Sequence, residues 1–97
     1  MLDGHDIKHK GLYRLWVDND RSGLPANWAG KIGRILLALN AATSPEELYG
    51  VPGFGLHPLK GGRKGTWSTV VSRNYRITFK WRDAGPYDVK LEDYHGD

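Results

Sequence analysis

Residues 75–82, Tyr75-Arg76-Ile77-Thr78-Phe79-Lys80-Trp81-Arg82, alternate between apolar and polar side chains. Successive side chains of a β-strand point to opposite faces, so Tyr75, Ile77, Phe79 and Trp81 share one side and Arg76, Thr78, Lys80 and Arg82 the other. This pattern predicts an antiparallel strand with its apolar face on a core and its basic face in water. The segments on either side extend the sheet. Residues 66–72 are rich in β-branched and aromatic side chains and are parted from residues 75–81 by Arg73-Asn74, which reads as a hairpin. Asp83-Ala84-Gly85-Pro86 reads as a turn, and Tyr87, Val89 and Leu91 alternate through a last strand that ends in Glu92-Asp93-Tyr94-His95. Upstream, Val51-Pro52-Gly53-Phe54-Gly55 can bend sharply and deliver Leu56-His57-Pro58-Leu59 as a short edge strand, where Pro is tolerated.

Ahead of the sheet the periodicity becomes helical. Leu12, Leu15 and Trp16 fall on one face of a helix predicted over residues 9–19, which the stretch Asn19-Asp20-Arg21-Ser22-Gly23 breaks. Pro25 suits the first position of a second helix, with Trp28, Ile32, Ile35, Leu36 and Leu39 as one apolar stripe against the sheet. Ser44-Pro45-Glu46-Glu47 spells a capping box for a short third helix. Helices first and strands afterwards is the α+β pattern, and one domain over residues 1–97 accounts for the whole length.

Composition narrows the chemistry. With 39% hydrophobic residues, four Trp and five Tyr, the chain can bury a core. It has no cysteine, which excludes disulfides, thiolate metal sites and cysteine nucleophiles. The first ten residues lack the apolar centre of a secretory signal, and no run is long enough to span a bilayer, so a soluble cytoplasmic protein without membrane contact is expected. Net charge is only +3, but no acid lies between Glu47 and Asp83, whereas Lys60, Arg63, Lys64, Arg73, Arg76, Lys80 and Arg82 all do. That region suits a polyanion such as RNA, or else a solvated basic edge that keeps the sheet from aggregating.

RNA can be cut without metal or cofactor when a base activates the 2′-hydroxyl, cations stabilise the charge gathering on phosphate and an acid protonates the leaving oxygen. His57 on the edge strand and His95 beyond the last strand can exchange protons near neutral pH, with Asp93 to orient or strengthen an imidazole. Lys60 and Arg76 suit phosphate, the first as a point charge and the second as a two-pronged donor. Tyr94 can stack on a base. Each also has an ordinary structural reading, as a solvated His, a charge-balancing Arg or a packing Tyr. His5 and His9 are four apart, but two ligands make an incomplete metal site, and solvated histidines at a fraying end are the expectation there.

Taken together, His9-Lys10-Gly11-Leu12, Leu56-His57-Pro58-Leu59-Lys60-Gly61, Gly65-Thr66-Trp67-Ser68, Asn74-Tyr75-Arg76-Ile77-Thr78-Phe79 and Glu92-Asp93-Tyr94-His95 resemble the HigB branch of the RelE-like toxins. The resemblance implies a RelE-like fold, helices packed on a twisted, mainly antiparallel sheet of about four strands. It implies an endoribonuclease acting on messenger RNA in the ribosomal A site, neutralised by a HigA-type helix-turn-helix antitoxin through which alone the toxin meets promoter DNA. The family's site positions fall on His57, Lys60, Arg76, Asp93, Tyr94 and His95, with Arg73 and Asn74 nearby; Lys80, Arg63 and Lys64 join Tyr94 as RNA contacts on charge and position. Two rivals remain: a toxin of the ParE branch that binds a protein such as DNA gyrase without cutting RNA, and a plain RNA-binding module.

Overall fold

The structure, a computed structural model, describes residues 1–94. The β-branched and aromatic segments pair as β1 (His57–Pro58), β2 (Trp67–Val70), β3 (Tyr75–Arg82) and β4 (Gly85–Asp93). They form one sheet in the order β1-β2-β3-β4, each neighbouring pair antiparallel. The register places Trp67 opposite Phe79, Thr69 opposite Ile77 and Ile77 opposite Leu91, so these side chains share the inner face. Between Thr78 and Lys80 the β3–β4 register shifts, and Asp88 takes a left-handed backbone with φ of 50°, the mark of a bulge in β4.

Two helices cover the inner face, α1 (Lys10–Asp18) and α2 (Ala29–Ala41). Ile77, Phe79 and Val89 of the sheet are fully buried with Leu12 of α1 and Ile32, Ile35, Leu36 and Leu39 of α2, in one core cluster. Each such side chain contributes about 1.5–3 kcal/mol by leaving water. Asn19 ends α1 in the left-handed region at φ 55°, its N–H returning to the carbonyls of Arg14 and Leu15. Gly11 admits a close crossing, since a Cβ there would collide with the Gly23 carbonyl oxygen. Residues Pro45–Gly50 form a 3-10 helix with a capping box between Ser44 and Glu47.

Three expectations are corrected. The second helix begins at Ala29 rather than Pro25, because the Trp28 N–H bonds to the Pro25 carbonyl at 3.0 Å in a separate turn. Ala29 takes the buried place, and Trp28 is left 37% exposed. The amino-terminal residues are stitched in rather than frayed: the Leu2 N–H reaches Asn40 Oδ1 at 2.9 Å, Trp16 Nε1 donates to the Leu2 carbonyl at 2.8 Å, and Ile7 bridges to Val89. His9 accordingly is no solvated residue but the N-cap of α1, its Nδ1 accepting the Leu12 N–H at 3.2 Å.

The third correction concerns the outer sheet face, which is not simply wet. Thr78 and Ser68 are buried there, and the Arg76 side chain is only 18% exposed. Glu92 stands opposite Arg76 in the β3–β4 register. It accepts hydrogen bonds from Arg63 at 2.8 and 2.5 Å, from Thr78 Oγ1 at 2.5 Å and from Arg76 at 3.2 Å. Arg63 comes from the 3-10 turn Gly61–Arg63, so this carboxylate ties the β1–β2 connection to the far side of the sheet.

Two pH-dependent contributions follow. Burial lowers the His9 pKa from its ordinary 6.5, and protonation would occupy the nitrogen that accepts the Leu12 N–H. The cap's contribution is therefore complete above about pH 6.5 and is lost as pH falls below it, because the unfolded chain takes the proton first. His9→Ala should cost about 1 kcal/mol at neutral pH, and His9→Asn should restore the cap and flatten that part of the profile in denaturant melts. Arg63, then Thr78 and Arg76, hold Glu92 down to about 2 from its ordinary 4.5. Its contribution is thus present above pH 4.5 and disappears as pH falls toward 2. Glu92→Gln should be about 2 kcal/mol less stable at pH 7, with the gap to wild type closing in acid; a gap independent of pH would deny Glu92 this role.

Candidate active site on the outer sheet face

The end of the sheet at the β2–β3 turn gathers Asp93 and Tyr94. The Tyr94 N–H donates to the Asn74 carbonyl at 2.8 Å, and its hydroxyl lies 3.4 Å from the Ser72 carbonyl oxygen. These contacts hold Tyr94 against the turn that carries Arg73 and Asn74, both exposed. The Arg76 guanidinium lies over the Tyr94 ring, 4.8 Å from its centroid, a cation–π contact that fixes its plane. Asp93 closes β4 opposite Tyr75 and is exposed. Arg76, Asp93, Tyr94, Arg73 and Asn74 therefore share one corner of the molecule, and Arg63 is drawn toward it through Glu92. His95 lies outside the described residues.

His57 approaches the same face from the opposite side. It pairs with Ser68 across β1–β2, and Ser68 with Thr78 across β2–β3, so the three side chains form a row on the outer face. His57 is thus two strand spacings from β3, roughly 10 Å. Its ring is exposed, with Nδ1 3.2 Å from the Gly55 carbonyl oxygen. Ser68 Oγ and Arg76 Nε, both on this face, are buried with no hydrogen-bond partner among the described residues. A donor on Arg76 is therefore left unspent although Glu92 and Tyr94 fix the rest of its head.

The remaining sequence candidates are spread out. Lys60 and Lys64 are exposed on the β1–β2 connection. Lys80 lies near the other end of β3, 3.8 Å from Asp88, about 13 Å along the strand from Arg76. Of the seven cations between residues 60 and 82, Arg63 and Arg76 share Glu92, Lys80 faces Asp88 and Arg82 reaches Asp6 at 3.0 Å. Among the described residues, Lys60, Lys64 and Arg73 have no carboxylate in ion-pair reach. Asp3, His5 and Asp6 bring possible metal-binding atoms within 4.8 Å of one another, but Asp6 already accepts from Arg82 and from the Asp3 N–H.

Glu92 and Thr78 were not singled out by the charge reading. A signal for Glu92 existed, since pairing the last two strands in antiparallel register sets an acid opposite Arg76, whose own stretch is free of acids. Ser68 and Thr78 gave none, because a buried hydroxyl on the outer face depends on what lies over it.

Comparison with known proteins finds likenesses along nearly the whole chain. Residues 5–95 match the family model described as RelE-like toxin of type II toxin-antitoxin system HigB, which begins ahead of the first quoted motif at His9. The chain is 43% identical over 89 residues, 92% of its own length and 96% of the relative's, to a protein named Endoribonuclease HigB from Proteus vulgaris. It is 30% identical over 90 residues, 92% of its length and 95% of the relative's, to Toxin HigB-1 from Vibrio cholerae serotype O1. With helices on an antiparallel four-stranded sheet and both likenesses running almost end to end, the chain belongs to the HigB family of RelE-like toxins from type II toxin-antitoxin systems.

Proposed function

We propose that this protein is an endoribonuclease toxin of one domain that cuts messenger RNA in the ribosomal A site, and that a HigA-type helix-turn-helix antitoxin neutralises it. The observation that carries the reading is the 43% identity, over almost the full length of both chains, to Endoribonuclease HigB. The outer sheet face supports it, because Arg76 is pre-aligned there by Glu92 and Tyr94.

In the proposed reaction the ribose 2′-hydroxyl attacks the adjacent phosphate, the bond to the 5′-oxygen breaks, and the products carry a 2′,3′-cyclic phosphate and a 5′-hydroxyl. The phosphate gathers negative charge in the transition state, and Arg76, held in place, and Lys60, a flexible point charge, supply positive charge against it. One imidazole of His57 and His95 takes the 2′-hydroxyl proton and the other returns one to the leaving oxygen, with Asp93 beside His95 in sequence to orient it. These side chains supply both proton transfers and the charge stabilisation, so the reaction needs no cofactor. Tyr94, Arg73, Asn74, Arg63, Lys64 and Lys80 act on the RNA around the cut. The action falls in the cytoplasm, where messages are translated; no helix among the described residues is long and apolar enough to cross a membrane.

A short pulse of expression followed by mapping of transcript 5′ ends tests the reading. Cuts within translated messages, 5′-hydroxyl ends and indifference to chelators are expected. Arg76→Ala and His95→Gln, shown folded by their thermal melts, should each lower cutting by about 10²–10⁴-fold. Full cutting by either folded variant refutes its assigned role. Intact messages accompanied by DNA damage and filamentation would move the protein to the gyrase-binding branch.

A further inference from the structure

A cleft of about 420 Å³ opens beside β1, under the connection that carries Lys60 and Lys64. Pro58 and Trp67 face each other in the β1–β2 register and line it together, giving it a flat apolar wall. The Trp67 ring is braced by Tyr49, whose ring meets it edge to face with centroids 6.1 Å apart and planes at 77°. Gly61 and Gly65 lie at the same cleft, both with positive φ, and a Cβ on either would meet no atom within 4 Å. The space in front of the wall is therefore open, and two ammonium groups stand near it.

The charges at this cleft are divided. Arg63, between the two lysines in sequence, is turned away and held by Glu92, whereas Lys60 and Lys64 have no carboxylate in ion-pair reach among the described residues. A flat aromatic wall with unpaired cations beside it is the chemistry that holds an unpaired nucleobase and its phosphate. A fatty or purely apolar ligand would leave both ammonium groups without a counter-charge. The cleft also adjoins the proposed cutting face. Pro58 lines it, while the preceding residue, His57, projects to the opposite side of the same short edge strand.

We propose that this cleft is a nucleobase site, in which Trp67 stacks one unpaired base of the cut RNA while Lys64 holds that nucleotide's phosphate and Lys60 stays with the scissile one. The RNA then passes over the exposed β1 edge, with the scissile phosphate on the His57 side and a neighbouring base on the Trp67 side. This rests on the endoribonuclease reading and adds to it a subsite that selects the bases around the cut.

The test uses ribosome complexes programmed with a message cut at one known position. The base at each nucleotide around the cut is removed in turn, leaving an abasic ribose. For the wild type, cutting should slow about five- to hundredfold at one position next to the cut and change little elsewhere. Trp67→Leu should reduce that dependence to less than about twofold, and Trp67→Phe should restore most of it. Because Trp67 touches the core, a measurement on the wild type alone accompanies these variants: 5-iodouridine at the same position should photo-crosslink to Trp67. A flat abasic profile, an unchanged dependence in folded Trp67→Leu, or crosslinking confined to other residues overturns the assignment while leaving the nuclease intact. Should the wild type leave the unmodified message whole, the nuclease reading fails and the subsite falls with it. Should Trp67→Leu keep the base dependence but escape the antitoxin, the cleft belongs to the protein partner instead.

Discussion

Glu92 sits opposite Arg76 on the outer face and accepts from Arg63, Thr78 and Arg76 together, so one carboxylate decides how the cations of this face are arranged. Without it, two guanidinium groups would repel each other over a buried hydroxyl. With it, the connection after β1 is pulled across β2 and fastened to β4, and the Arg76 head is trapped between a carboxylate and the Tyr94 ring. Fixing that head costs side-chain entropy at folding, when the core supplies it, and spares the cost on binding. A cation that is already oriented stabilises developing charge better than one that must reorganise.

How much of this was legible in the sequence depended on how local the cause was. Strand β3 was readable because alternation is a property of the strand alone, and Ile77 and Phe79 are fully buried as the alternation requires. The capping box at Ser44 and Glu47 was equally local. The start of α2 was missed because Pro25 suits a turn as well as a helix, and the choice rests on whether Ala29 or Trp28 enters the core. His9 was missed as a cap because His is an uncommon N-cap, and only the neutral ring can accept the Leu12 N–H. For the site, the charge pattern identified the cations but could not pair them, since pairing depends on register. Glu92 is sixteen residues from Arg76 and twenty-nine from Arg63, separations that only a finished sheet brings to hydrogen-bond distance.

The cationic window therefore does not act as a uniform field. Arg82 is spent on Asp6, which anchors the amino-terminal turn, and its guanidinium lies 4.4 Å from the Tyr87 ring centroid. Lys80 and Lys90 flank Asp88 at the bulge. These pairings cancel charge at the β3–β4 hairpin and leave it at the β1–β2 connection and the β2–β3 turn. A polyanion approaching the sheet thereby meets unpaired cations at these two connections, at opposite ends of β2, instead of an evenly basic face.

The choice of basic residue at each position of the β1–β2 connection fits this division. Arg63 presents a planar fork to both oxygens of Glu92, a geometry that a lysine cannot match with one ammonium. Lys60 and Lys64, on either side of it, carry flexible point charges that can follow a mobile phosphate and give up contact when the product leaves. The connection is fastened at its middle by the residue suited to a fixed partner and free at both flanks with residues suited to a transient one. Gly61, Gly62 and Gly65 keep side chains other than these cations off the surface between them, so the RNA in the proposed reaction meets backbone and two ammonium groups at close range. The same glycines favour an unanchored loop, which is the physical reason that Arg63 must be tied to the sheet for Lys60 and Lys64 to be held beside Pro58 and Trp67.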